Sequence, residues 1–174
     1  MEWGKGMYQT GELVVYGVHG VCRVVDREDR MINKKPMVYL VLEPVGQDGA
    51  TYFVPMHNAA AMSKIKTIVS KEELSDLLNS GKNESKSWIQ DENLRKQTYC
   101  ELISSGDRAG LIRMVRNLYL HKAVQSALGR KVHLCDENFL HDAEKLLIGE
   151  IAVVLDMDKE AAKVYLRNKL KEDA

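Results

Sequence analysis

Apolar positions follow two different rhythms along this chain. Before about residue 70 they come in short runs broken by glycine and proline, and after about residue 85 they recur every three or four residues. The first rhythm predicts strands. Leu13–Tyr16 lies between Gly11 and Gly17, and Val21–Val25 is entered through Gly20. Both are short and rich in β-branched residues, as strands are. Met31-Ile32, flanked by polar clusters, reads as a short strand or hairpin, and Val38–Leu42 as a further strand. Gly46-Gln-Asp-Gly49 is turn chemistry, because glycine takes positive φ without steric cost. It predicts a hairpin into Thr51–Val54, which Pro55 ends for want of an N–H. His57–Met62 fits one helical turn, and Ile65–Val69 a last strand closing a small barrel. Sheets of this size that curl on themselves bind partners more often than they catalyse.

The second rhythm predicts helices. Ser70 with Glu73 forms a capping-box pattern ahead of Leu74, Leu77 and Leu78. The polar stretch 82–87 is the expected linker, dividing the chain into residues 1–81 and 82–174. Four helices are then expected. The first covers Trp88–Ser105, with Gly106 at the left-handed C′ position and Asp107 as the next N-cap. The second carries Leu111, Met114, Val115, Leu118 and Tyr119 at helical spacing and stops before Gly129. Asp136 is the expected cap of the third, with Phe139, Leu140, Ala143, Leu147 and Ile151 inward. Asp158 caps the last, which turns Ala162, Tyr165, Leu166 and Leu170 inward. Such stripes suffice for a small bundle core. The fold class is therefore α+β: a small β-barrel followed by an all-α helical bundle.

Composition narrows the function. With 25 basic and 25 acidic residues the formal net charge is zero, so steady phosphate binding across a broad basic surface is not expected. Three scattered cysteines, Cys22, Cys100 and Cys135, form no CxxC pair and point to a reducing compartment rather than a disulfide framework. Residues 1–7 lack a signal-peptide core, and no apolar run approaches the ~18–20 residues that span a bilayer. A cytoplasmic protein without membrane contact is expected.

Among single residues Trp88 is the sharpest. Read as helical, its face continues through Asp91, Glu92 and Arg95 and is polar, while the apolar residues of that helix gather at the other end. Large aromatics are usually buried. The functional alternative is an exposed wedge or stacking platform on distorted DNA. Lys86, Arg95 and Lys96 lie near it, and Arg108, Arg113, Arg116 and Lys122 on the next helix. They read either as an ordinary solvated surface or as a few positioning phosphate contacts. His133, Cys135, His141 and Glu144 make the best candidate metal cluster, but at no common ligand spacing. No nucleophile elbow, P-loop or dinucleotide fingerprint is present, so neither catalysis nor a cofactor is expected.

The run Thr10-Gly-Glu-Leu-Val-Val-Tyr-Gly-Val-His-Gly-Val-Cys-Arg-Val24, with Tyr39-Leu-Val-Leu42 and Phe53-Val-Pro-Met-His-Asn58, resembles the CarD/CdnL family of bacterial transcription regulators. Its barrel is shared with transcription-repair coupling factors. Trp88, Ser105-Gly-Asp107, Val115-Arg-Asn-Leu118 and Ala143–Ala152 resemble the family's helical domain, so the likeness runs in order over nearly the whole chain. It implies a Tudor/SH3-like barrel that docks on the RNA polymerase β subunit, partly by sheet-edge pairing. It also implies a helical domain that lies on promoter DNA, where its tryptophan wedges at the upstream edge of the melted bubble and favours the open complex. Two positions depart from the pattern. Phe53 stands where relatives carry a polymerase-binding arginine, whereas Arg30 keeps an earlier basic contact. After Trp88, Ile89–Asn93 replaces basic residues, Arg95 and Lys96 come later, and the interval to Ser105 is longer by about one helical turn.

The sequence thus predicts a non-enzymatic, monomeric transcription regulator. Arg30 and Phe53 are its expected polymerase contacts, Trp88 its wedge, and Arg95 and Lys96 its phosphate contacts on largely non-sequence-specific promoter DNA. The rival readings are a polymerase-docked protein–protein interaction module without DNA binding, and a small metal-dependent enzyme around His133, Cys135 and His141.

Overall fold

The computed structural model describes residues 7–46, 49–80 and 88–171. Its contacts divide the chain into two compact units between Ile68 and Val69. The first unit holds β1 (Leu13–Tyr16), β2 (Val21–Ile32), β3 (Lys35–Pro44), β4 (Tyr52–Pro55), the one-turn α1 (Ala59–Met62) and β5 (Ile65–Thr67). The second holds α2 (Lys71–Asn79), α3 (Glu92–Ser105), α4 (Arg108–Ala127), α5 (Leu134–Val154) and α6 (Lys159–Lys171).

The strands form one antiparallel sheet in the order β4-β3-β2-β1-β5. The expected barrel closure does not occur: β5 pairs with β1, and β4 and β5 remain the two edges. These strands are only three and four residues long, and α1 intervenes between them in the chain. Val14, Cys22, Val24, Leu40, Leu42, Val54 and Ile65 make the core on one face. The β2–β3 hairpin is longer than the sequence suggests. It turns on Asn33 and Lys34, both at positive φ, which is the backbone of a tight two-residue hairpin. A bulge between Val24 and Asp26 interrupts its register.

The capping box of Ser70 and Glu73 forms, with Glu73 N–H donating to the Ser70 hydroxyl at 3.1 Å and Ser70 N–H donating to the Glu73 carboxylate at 2.8 Å. Leu74 and Leu78 are buried in the helical core, so α2 belongs with the helices and the division comes earlier than the expected break at 82–87. That stretch, with Lys86, lies outside the described residues. Arg116 reinforces this attachment by donating to the Leu78 and Ser80 carbonyls at the end of α2, at 3.1 and 3.2 Å. Gly106 takes the left-handed conformation at φ 66°, and Asp107 accepts from Gly110 N–H at 3.1 Å, as the sequence predicts for the α3–α4 junction. Gly110 fits where a Cβ would lie 2.4 Å from Leu102, so its lack of a side chain sets how closely the two helices pack. The core gathers Leu111, Met114, Val115 and Leu118 of α4, Ala143, Leu147 and Ile151 of α5, and Ala162, Leu166 and Leu170 of α6.

Two helix starts differ from expectation. Asp91, not a residue before Trp88, caps α3 and accepts from Leu94 N–H at 2.7 Å. Residues 88–91 therefore precede the helix. Helix α5 starts at Leu134 with His133 at the N-cap, which places Asp136 inside its first turn and buries it. No described helix is long and apolar enough to cross a membrane.

Candidate functional site

In the sheet unit the bulge decides which residues face outward. A regular strand alternates its side chains, so Cys22, Val24, Asp26, Glu28 and Arg30 would share one face. The extra residue Val25 shifts that parity. Val24 sits opposite Leu42 in the core, but Arg27 sits opposite core Leu40, and Glu28 opposite Tyr39. Glu28 and Arg30 thereby join Tyr39 and Phe53 on the face away from the core. There the Arg30 guanidinium carbon lies 3.9 Å from the centre of the Phe53 ring and 6.0 Å from that of Tyr39. Its Nε and Nη2 donate to the Glu28 carboxylate at 2.9 and 2.8 Å. The cluster is open: the Arg30 side chain is 44% exposed and Phe53 39%. Both residues expected to meet polymerase are thus brought together.

Phe53 also lies on a sheet edge. Met56 N–H donates to the Val38 carbonyl at 2.9 Å, and the β3–β4 register carries the same alternation back to Val54 and Tyr52. The backbone N–H and C=O of Phe53 therefore point away from β3, and no described strand pairs with them. Pro55 occupies the next outward position, where its missing N–H costs no ladder bond.

In the helical unit Trp88 lies half-buried just before α3, its ring stacked on His121 of α4 at 3.7 Å between centroids and 5° between planes. Arg95 does not present itself to solvent. Its Nε and Nη2 donate to the two Asp136 oxygens at 2.9 and 3.1 Å, and Nη1 donates to the Ile89 carbonyl at 2.9 Å. Its side chain is 8% exposed, and its guanidinium carbon lies 4.7 Å from the Trp88 ring centre. Arg95 is therefore an internal strut that ties the Trp88 segment to α5, not a phosphate ligand on the surface. The sequence pattern missed it because Asp136 lies forty-one residues away. Burial holds the His121 imidazole below its ordinary pKa, with Asp136 opposing that shift and Arg95 adding to it. Lys96 is half-exposed and paired with Glu92 one turn earlier.

Other candidate cations have structural partners as well. Arg108 bonds Glu150 at 2.8 and 2.9 Å, and Lys122 lies 3.6 Å from Glu137. Glu144 accepts from Tyr119 and from Arg167, so it is engaged inside the bundle. Among the described residues no three His, Cys, Asp or Glu side chains gather as a metal site.

Comparison with known families fits this division. A family model described as the CarD-like/TRCF RID domain matches residues 8–66. One described as the CarD C-terminal domain matches residues 73–167, more than half of the chain. The gap between the two matches spans the division at Ile68 and Val69. With both domains matched in order, the chain belongs to the CarD-like family of transcription factors that interact with RNA polymerase.

Proposed function

We propose that this protein docks on the β subunit of RNA polymerase through the outward face of its sheet and stabilises the promoter open complex through its helical unit. The observation that carries the reading is the open Arg30–Phe53–Tyr39 cluster beside the unpaired edge of β4. A partner strand added to that edge gains main-chain hydrogen bonds, and the cluster beside it supplies specificity. An arginine stacked on aromatic rings is the kind of group on which interface energy concentrates. Trp88 is the element offered to DNA at the upstream edge of the bubble, held in place by His121 and Arg95, while Lys96, half-exposed on α3, is the cation for a phosphate. A neutral protein can use so small a DNA surface because docking raises its local concentration at the promoter. In this reading the protein acts as a monomer in the bacterial cytoplasm.

A second reading, a polymerase-docked module whose helices meet another protein, draws on the internal use of Arg95 and the pairing of Lys96 with Glu92. The lifetime of open complexes formed by the host holoenzyme separates the two. Trp88→Ala is expected to shorten the lifetime about tenfold, the loss of one good base contact, while polymerase binding persists. An unchanged lifetime and footprint would favour the protein–protein module.

A further inference from the structure

The connection between the two units is held at both of its ends. Strand β5 ends at Thr67, which pairs with Val14 of β1. Two residues later the Val69 N–H donates to the Glu150 carboxylate of α5 at 3.3 Å, and the Val69 side chain packs against the helical core. Ser70 follows as the N-cap of α2, its own N–H donated to Glu73. Ile68 alone lies between the last paired residue of the sheet and the first held residue of the helices.

Glu150 and its partner are placed against the preference of their own helices. Glu150 stands near the C-terminal end of α5, where the helix dipole favours cations. Arg108 is the first residue of α4, where the dipole favours anions. Arg108 Nε donates to both Glu150 oxygens at 2.9 and 2.8 Å, and the Glu150 side chain is 7% exposed. A buried ion pair adds little stability over apolar side chains of the same size. What apolar side chains could not do is accept the Val69 N–H and so fix where the connection ends.

We infer that Glu150, held by Arg108, is a positioning residue: by gripping Val69 it keeps the connection between the units to the single residue Ile68. Docking of the sheet unit then presents the helical unit to promoter DNA at a high effective concentration. The inference rests on the proposed docking on polymerase and contact with promoter DNA. Effective concentration falls as roughly the −3/2 power of tether length. Release of Val69 would double the tether and lower it about threefold, and a tether longer by about eight residues would lower it about 30-fold.

The test measures three quantities on full-length protein: melting temperature, affinity for the isolated β-subunit lobe, and the lifetime of open complexes formed by the host holoenzyme. One variant carries about eight flexible Gly and Ser residues between Ile68 and Val69. It is expected to keep the parental melting temperature and lobe affinity, while the gain in lifetime falls about tenfold or more. The second is the double variant Arg108→Met, Glu150→Met, which replaces the buried pair with apolar side chains and is expected to melt at or above the parental temperature. Its gain in lifetime is expected to fall about threefold, at parental lobe affinity. A parental lifetime with the insertion overturns the inference. A shortened lifetime with the insertion but a parental one in the folded double variant makes Glu150 a structural residue only. If the parent binds the lobe but does not prolong the lifetime, the DNA reading fails first, and if it does not bind the lobe, the docking reading does; either takes this inference with it.

Discussion

The two units each place an arginine against an aromatic ring beside a carboxylate, and the two arrangements do different work. In the sheet, Arg30 lies over Phe53 and pairs with Glu28, its side chain 44% exposed. In the helices, Arg95 lies near Trp88 and pairs with Asp136, its side chain 8% exposed. An ion pair in water is worth little, because the charges are already well solvated. A buried pair leaves a costly unpaired charge when one partner is removed. The same chemistry is therefore an open surface cluster in one unit and a structural strut in the other, and exposure decides which.

The largest effect separating them is on stability. Asp136→Ala leaves Arg95 buried without its carboxylate and is expected to cost about 3–5 kcal/mol in urea unfolding. Glu28→Ala, the matching change in the sheet, is expected to cost under about 1 kcal/mol. Equal losses would mean that the two pairs are not different in kind.

Next in size is binding. Phe53→Ala is expected to weaken polymerase docking by about 2 kcal/mol, roughly 30-fold, as at interface anchors. The same variant should unfold within about 0.5 kcal/mol of the parent, since Phe53 lies on the solvent face. A large stability loss would show that Phe53 is a packing residue.

A third effect is visible in titration. Burial, the main cause, keeps the His121 pKa below 6.5. The folded protein then favours the neutral imidazole. The stability from this preference is fully present above pH 6.5 and is lost as pH falls through the lower folded value. Emission from Trp88, measured in a Trp3→Phe background, is expected to change with a midpoint below pH 6.5. A midpoint above 6.5 would contradict the packing of His121 on Trp88. In alkali, burial raises the Tyr99 pKa from 10 to about 12, so the helical unit loses stability as pH rises from 10 towards 12.

The smallest effect is one of reactivity. Cys22 sits in the sheet core, and burial pushes its thiol up to about 11, whereas Cys100 is exposed. Alkylation at pH 8 followed by peptide mass analysis is expected to label Cys100 well before Cys22. The reverse order would mean that the sheet core opens more readily than its packing implies.

Local signals in the sequence carried most of the architecture. Glycine and proline bracket β1 and β4, Gly20 opens β2, and Ser70 with Glu73, Gly106 and Asp107 mark helix ends through contacts within a few residues. What was not legible depends on distant partners or on one-residue shifts. Val25 follows Val24 and breaks the alternation of β2, and that adjacent pair was the available sign of the bulge that turns Arg30 outward. Asp91 and Asp136 are both plausible caps by type. Only the packing of α3 against α5 assigns one to capping and the other to Arg95. The open sheet likewise follows from the shortness of β4 and β5, which apolar content alone does not reveal. Arg30 and Phe53 were paired on grounds of resemblance, and the register brings them together. Arg95 was grouped with Lys96 because they are neighbours in sequence, but adjacent helical residues point in different directions.

The most direct test of the account is the affinity of the full-length protein for the isolated β-subunit lobe of its host polymerase, measured for the parent, Arg30→Glu and Lys96→Glu. The account predicts that Arg30→Glu loses binding by 30-fold or more, on the scale of an interface anchor, at an unchanged melting temperature, while Lys96→Glu binds as the parent does. Parental affinity in Arg30→Glu, or no binding of the parent to the lobe, would contradict the assignment of the outward sheet face to polymerase.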